Sequence, residues 1–549
     1  MNNFLQKFKD NYYLITPFLI FLSFPSYDFW FLQGFAFYAW LAFIPLFLFI
    51  KNKSLKKVYW VSFLTGLISN YLRFYWIGYF AAEVSGGFYI LILILIPLIS
   101  VIFAIKILLA EYLSRKFEFF RVLIYPSVWI IIDWFMTLGF LAFPFNYLGH
   151  SQFKFTSFIQ LASFVGILGV NFIIILFNCL LADLIHLKIK TKFKIRSKAF
   201  IFSGASLKFF SLLIFIFLFS LYGFYQLKKT NKVQGGSKDL RVSVVQSCIS
   251  PWDNWIENRF QHLGDLKKYT EMSLTKNPDF IIWSESATLE ALSFNYFNNR
   301  SNSFGEELFS FIKEIKKPLF TGEIGITEIR ENLIPKRYPQ NNVALINGSG
   351  EIVKTYPKII LVPFGEWFPY VNWFPSLKDF IVRCGGSDFI PGKKQEVFTL
   401  DVGQDKKYKF AGLICYEATF PQFCRQYLKQ GIDFFINSSN DGWTDTFNGH
   451  TQHFAASIFR AIENGRWLIR AGNTGVTATI DPYGRIKKSI PILKPGYLVD
   501  DLDFSLNHQT FYSQYGDLTL YLSFIFIGSL VVVLFFPFDF FKKLFFALS

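Results

Sequence analysis

The chain has 549 residues, 52% hydrophobic and 20% aromatic but only 17% charged, with a mean hydropathy of +0.33. Soluble domains carry about 25% charged residues, so a wholly water-soluble protein is excluded. The formal charge of +16 raises nucleic-acid binding, but the basic residues sit in short segments between apolar runs, as topogenic signals do, and no nucleic-acid partner is expected. Five cysteines, Cys179, Cys248, Cys384, Cys415 and Cys424, form no CxxC pair and no even framework. That pattern argues against a disulfide scaffold or a structural zinc site, and no metal or cofactor is expected.

Lys7 and Lys9 precede an apolar stretch with no small-residue cleavage site, and more spans come after it, so a retained first helix is predicted. A helix needs about 20 apolar residues to cross the hydrocarbon core. Windows of that kind fall near residues 11–27, 29–50, 58–82, 87–111, 121–140, 157–186, 207–227 and 518–540, with Phe24-Pro25-Ser26 the only break between the first two. Glu111 and Asp133 lie close to span ends, from where they could reach the headgroups. Loops holding Lys51, Lys53, Lys56 and Lys57, then Arg115, Lys116 and Arg121, then Lys188, Lys190, Lys192, Lys194, Arg196 and Lys198, and finally Lys542 and Lys543, all fall on one side. The opposite loops, 81–87 and 141–157, hold just Lys154, which puts the N-terminus inside. The expected organisation is a membrane α-helical bundle of about eight transmembrane helices with a large water-facing insertion. Residues 1–227 form the first seven spans, 228–517 a domain on the outer face, and 518–549 a last helix with a cytoplasmic tail. A transporter would need mid-membrane charge pairs or broken helices and an inverted repeat, and none is legible in the sequence.

Residues 228–239 read as a polar, glycine-containing linker. Beyond it, β-rich runs at 241–246, 280–283, 319–321, 343–346, 410–414, 434–436 and 476–480 alternate with amphipathic stretches at 257–276, 305–315, 420–430 and 452–463. That alternation predicts an α/β domain with a packed sheet between helix layers. Glu285 comes just after one buried run and Cys415 after another, while Lys358 and Glu366 lie between them. Strand ends are where α/β folds build sites, because a rigid sheet aims the side chains while loops shape the pocket.

These residue types fit one chemistry. A thiol is a strong nucleophile only as thiolate, so Cys415 needs a base, and Glu285 can serve. Attack on an ester builds negative charge on oxygen, which a fixed ammonium such as Lys358 stabilises. The resulting thioester can acylate an amine if water is kept out. His450 and His453 in GHTQH have i, i+3 spacing, but without a third ligand or an HExxH pattern they are expected to be structural or substrate-contacting.

WSESA around Glu285, YPKIILVPFGEWFP around Lys358 and GLICYEATFP around Cys415 resemble, in order, the three signatures of the carbon–nitrogen hydrolase (nitrilase) superfamily. The segments from Asn437 to Trp443 and from Arg460 to Gly475 are similar to the stretches downstream of the cysteine in that superfamily. With helices before and after that domain, the chain resembles the apolipoprotein N-acyltransferase family along nearly its whole length. The resemblance implies a nitrilase-like αββα sandwich on a membrane base at the periplasmic side of a bacterial inner membrane. It implies a ping-pong reaction in which Cys415 takes an acyl chain from a phospholipid, with phosphatidylethanolamine as donor. The chain then passes to the α-amine of a lipoprotein's diacylglyceryl-cysteine. It also implies supporting or substrate-binding roles for Trp255, Asn341, Glu366, Tyr416 and Glu417, with Trp252 as an alternative to Trp255. Ser284 stands where proline is common in the family. The second reading is a membrane-anchored amidase or nitrilase acting on a small amide.

Overall fold

A computed structural model of the chain describes residues 11–25, 34–79, 89–139, 141–191, 203–232, 238–331, 334–367, 387–403, 405–444 and 446–535. Lys7, Lys9, Lys192, Lys194, Arg196, Lys198, Cys384, Lys542 and Lys543, on which parts of the sequence reading rest, lie outside the described residues.

Each predicted window holds a helix: α1 (Ile15–Ser23), α2 (Ile44–Ile50), α3 (Leu55–Phe74), α4 (Tyr89–Lys116), α5 (Arg121–Phe135), α6 (Ala162–Thr191), α7 (Gly204–Lys232) and, at the far end of the chain, Leu518–Phe535. Four of these regions, Ile92–Lys116, Ala162–Thr191, Gly204–Thr230 and Leu518–Phe535, are long and apolar enough to cross a membrane. The first two windows hold the shorter apolar helices Tyr12–Ser23 and Ala36–Ile50. α3 carries Lys56, Lys57 and Arg73, and α5 is only 15 residues long, so neither has the length and composition of a span on its own. α7 runs on to Lys232, past the predicted start of the linker at residue 228. Its final turns are polar but contain no glycine or proline, so nothing there stops the helix.

The buried charges of the bundle depart from the sequence reading. Glu111 and Asp133 do not turn to the headgroups; both are buried. Asp133 takes the Lys106 ammonium on one carboxylate oxygen at 2.5 Å and the Asn171 amide on the other at 3.0 Å. Glu111 pairs with Arg115 at 3.0 Å and Arg121 at 2.9 Å and accepts the Tyr125 hydroxyl at 2.5 Å. α6 also breaks at Gly166 (φ 64°), and the freed N–H of Ile167 donates to Glu463 at 2.8 Å. The bundle therefore contains a charge pair and a broken helix that the sequence did not reveal. Each of these buried groups meets a protein partner, as buried charge in hydrocarbon requires.

The second part of the chain is built from two six-stranded sheets. One has the order β12-β1-β2-β3-β4-β5 and the other β11-β10-β9-β8-β7-β6. In sequence these are β1 (Leu240–Gln246), β2 (Phe280–Ile282), β3 (Leu319–Glu331), β4 (Ile334–Ile346), β5 (Ile352–Pro357), β6 (Val397–Asp401), β7 (Lys407–Ile414), β8 (Phe434–Ser439), β9 (Trp467–Gly472), β10 (Thr477–Ile480), β11 (Ile486–Ile490) and β12 (Gly496–Leu502). The central strands β1, β2 and β3 run parallel, as do β7, β8 and β9, which explains their continuous apolar runs. Phe320, Phe398, Phe410 and Phe434 interleave between the sheets with ring centroids 5.0–5.3 Å apart. Helices α8 (Trp255–Leu274) and α9 (Ser303–Ile315) cover the outer face of the first sheet through Leu263, Leu266, Leu308 and Ile312. Helix α10 (Phe447–Asn464) covers the second, with Phe454, Ile458 and Ile462 in one cluster with Leu413 and Phe435. That cluster continues into Ile167 and Leu168 of α6, so the layered αββα domain and the helical bundle share one apolar core. The last helix, α11, is Leu518–Phe535.

Candidate active site

Glu285, Cys415 and Asn440 each lie past the carboxyl end of a parallel strand, β2, β7 and β8 respectively, so the sheets aim them at one point. Lys358 enters from the end of β5, its N–H donating to the Asn341 carbonyl at 2.8 Å. Cys415 sits on a sharp turn out of β7 with φ 50°, an uncommon conformation for a residue with a side chain. Glu285 is brought tight against β3 because Gly322 lacks a Cβ; one built there would collide with the backbone of Ser286.

The Lys358 ammonium, 1% exposed, lies 3.1 Å from Glu285 Oε1 and 2.8 Å from Glu366 Oε1. Asn341 donates its one side-chain amide to the same two oxygens, at 2.7 and 2.8 Å. The second oxygen of Glu285 accepts the Asn440 N–H at 2.7 Å, and that of Glu366 accepts the Val362 N–H at 2.8 Å. Burial pulls the Lys358 pKa down, but Glu285, Glu366 and Cys415 outweigh it and hold the ammonium above the ordinary lysine range. Burial, then the Glu285 carboxylate, push the Cys415 thiol well above its usual value, against the smaller opposing pull of Lys358. Such an environment favours the thiol over the thiolate, and a thiol becomes a strong nucleophile only as its proton leaves.

A second layer holds the thiol turn. Ser439 Oγ lies 3.5 Å from Cys415 Sγ and donates to Asp441 at 3.0 Å. Asp441 pairs with Arg470 at 2.5 Å and with His453 Nδ1 at 2.8 Å, while His453 Nε2 faces the Cys415 carbonyl at 3.1 Å. Burial raises the Asp441 pKa, but Arg470 and His453 hold its carboxyl well below the usual range. Cys415, Asp441 and His453 bring three metal-ligating atoms within 4.8 Å of one another. Both imidazole nitrogens and the second Asp441 oxygen are already engaged by protein groups, so a cation there would have to displace them. His450 instead turns to the carbonyls of Asp441 and Thr444, both at 2.8 Å.

Glu285, Lys358, Glu366, Cys415 and Tyr416 share the wall of a cavity of about 360 Å³, together with Asn440, Asp441 and His453. Much of the rest of that wall is apolar and comes from the helical region, including Ile77, Leu98, Ile102, Met136 and Phe145, with Val362, Phe364 and Trp443 of the α/β domain completing it. Tyr416 ties the halves together by donating to the Ala142 carbonyl at 2.6 Å. Glu417 lies behind the cavity, fully buried. Its carboxylate accepts Tyr356 OH and the Ile359 N–H at 2.7 Å and the Ile414 N–H at 2.8 Å, so it joins the cysteine turn to the lysine segment. Burial raises its pKa to about 7 against those hydrogen bonds.

Trp255 opens α8, stacked on His262 with centroids 5.7 Å apart, and lies in the wall of a neighbouring cavity rather than this one. Trp252 packs edge-on against Trp443, which does line the cavity that holds Cys415. The sequence reading assigned no role to Asn440, Asp441, Arg470 or the helical wall. Asn440 and Asp441 fall within residues 437–443 and Arg470 within residues 460–475, the segments that the resemblance singled out, which was the available signal; the wall carried none, because apolar helix faces look alike in sequence.

The αββα layers set on an apolar helical region, together with its relatives, make the chain an acyltransferase of the carbon–nitrogen hydrolase superfamily. A family model described as carbon-nitrogen hydrolase matches residues 242–510, and one described as apolipoprotein N-acyltransferase N-terminal domain matches residues 17–180. A protein of Borreliella burgdorferi named apolipoprotein N-acyltransferase is 30% identical over 488 residues, 88% of each chain. Apolipoprotein N-acyltransferase 1 of Treponema denticola is 28% identical over 90% of each chain, and the apolipoprotein N-acyltransferase of Chlorobaculum tepidum 27% identical over 95% of each. The chain belongs to the apolipoprotein N-acyltransferase family.

Proposed function

We propose that the chain transfers an acyl group from a membrane phospholipid, phosphatidylethanolamine being the donor, to the α-amine of the diacylglyceryl-cysteine at a lipoprotein's N-terminus. The transfer is ping-pong, through a thioester on Cys415. The observation that carries this reading is the cavity that holds Glu285, Lys358 and Cys415 and draws much of its remaining, largely apolar wall from side chains of the helical region. A small soluble amide would not need that wall; an acyl chain would. The family's name for its acceptor supports the lipoprotein half of the reading.

Glu285 takes the Cys415 proton as sulfur attacks the ester carbonyl. Lys358 stabilises the oxyanion, and the carbon–oxygen bond breaks with the proton returned from Glu285 to the departing lysophospholipid alkoxide. The acceptor amine then attacks the thioester, its proton passes to Glu285, the carbon–sulfur bond breaks, and the thiol is restored. Glu366 and Asn341 hold Lys358 and Glu285 at working distance, while Tyr416 and Glu417 hold the turn. Residues 1–227 and 518–549 then form the spans of an inner-membrane protein, and residues 228–517 its periplasmic domain; the basic loops on one side support that orientation.

Intact mass measured after incubation with phospholipid alone tests the reading. The wild type gains one acyl chain, and the gain disappears on addition of a diacylglyceryl peptide as the amide forms. An undiminished mass gain in Cys415→Ser, or release of ammonia from small amides without amide formation on the peptide, would overturn it.

A further inference from the structure

A second cavity of about 430 Å³ lies beside the catalytic one, and the two share Asn440 and Trp443 in their walls. Their chemistry differs. The catalytic cavity draws much of its wall from the helical region, whereas every residue lining the second belongs to the α/β domain. The second wall mixes hydroxyl and amide groups, such as Ser247, Ser286 and Asn473, with the indoles of Trp252 and Trp255. The Trp255 N–H is buried there without a hydrogen-bond acceptor, which marks a place for one from outside.

The cavity also communicates with the reacting groups. Asn473 donates to the Ile249 carbonyl at 2.6 Å and to Asn440 Oδ1 at 3.0 Å, and the Asn440 N–H donates to Glu285 at 2.7 Å. An occupant touching the Ile249 segment is thus two side chains away from the carboxylate that handles the proton. Among the described residues lining it there is no lysine or arginine, and its one carboxylate, Asp253, is paired with His262 at 2.9 Å. Such a wall lacks the cation that a lipid phosphate calls for, while the indole N–H of Trp255 and the Ser286 hydroxyl suit peptide carbonyl groups, and its aromatic faces suit side chains.

We infer that this second cavity binds the polypeptide of the acceptor, the residues that come after the modified cysteine, while the catalytic cavity holds the acyl chains. The inference rests on the acyl-transfer reading above. It gives the acceptor a two-part site matched to its own two parts, lipid on the membrane side and peptide on the α/β side, with the amine held where they meet.

Ser250→Trp and Leu289→Trp, which fill the cavity away from Glu285, Lys358 and Cys415, test it in the full-length protein. Loading from phospholipid is followed by intact mass, and transfer is measured to a diacylglyceryl peptide several residues long and to diacylglyceryl-cysteine amide. Both variants should load at the wild-type rate and use the amide as the wild type does, while the KM for the peptide rises about tenfold, the scale of losing one good contact region. Slower loading would assign the cavity to the donor headgroup and overturn the inference. Equal losses on both acceptors, or none on either, would overturn it too. Failure of the unsubstituted protein to load would show separately, and would overturn the thioester reading and this inference with it.

Discussion

In the helical bundle Lys106 meets the single carboxylate of Asp133, whereas in the α/β domain Lys358 is shared by two, Glu285 and Glu366. Both clusters are buried, yet the surroundings differ. The Asp133 pair is completed by Asn171 and lies among packed helices, with the buried Arg73 nearby held by Asn70 and Asn146. The Lys358 cluster carries one more carboxylate than cation, places a thiol beside them, and opens on a cavity. Buried charge enclosed by packed helices holds them in register; a buried cluster with an excess of carboxylates and a thiol on the wall of a larger cavity has the make-up of groups that exchange protons, which is what the acyl-transfer proposal asks of it.

The contrast can be broken by mutation. Cys415→Ala should abolish the acyl-enzyme mass gain altogether while leaving thermal unfolding near the wild-type midpoint, and any remaining gain would move the nucleophile elsewhere. Lys358→Ala should lower turnover by about 10²-fold or more, because an oxyanion partner is lost in a water-poor site; normal turnover in detergent micelles would remove the lysine from the chemistry. In the bundle the signature should be the reverse. Lys106→Met leaves Asp133 buried and unpaired and should cost about 3–5 kcal/mol of stability. Adding Asp133→Leu should restore most of it, with the activity of the folded protein retained. A double variant that stays folded but inactive would give this pair a functional role after all.

A third kind of buried charge sharpens the comparison by the smallest effect. Glu323, whose carboxylate accepts the Ser293 N–H at 2.7 Å and hydroxyl at 2.5 Å, is pushed up to about 7 by burial, with those bonds opposing. Its folded-state value lies above the unfolded one, so the stability it contributes is full below about pH 4.5 and is lost as pH rises through about 7. The unfolding midpoint should fall between pH 5 and 8 by the equivalent of roughly 1–3 kcal/mol from this group. Glu323→Gln should flatten that slope; an unchanged slope would assign the effect to other carboxyls.

Much of the molecule was written locally. The apolar windows, the seven β-rich runs and the positions of Glu285, Lys358 and Cys415 at or near their ends depend on short-range pattern, because strand and helix periodicity and strand-end geometry are properties of neighbouring residues. Five strands escaped: β5, β6 and β11 are short and half-exposed, and β11 reads IKKSI, a pattern that a solvent-facing edge permits but does not announce, whereas β9 and β12 are largely buried and carry Arg470 or Asp500 and Asp501 within them, charges that mask an apolar run.

Other features depend on residues far apart in the chain, and only the tertiary structure decided them. Asp133 finds Lys106 27 positions away, Glu463 caps a helix break 296 positions before it, and Asn440 reaches Glu285 across 155. The cavity wall joins Ile102 and Phe145 to Cys415 in the same way. A sequence states which groups exist and what local backbone carries them; which distant groups share a low-dielectric space, and so which charges balance and which react, is settled when the chain packs.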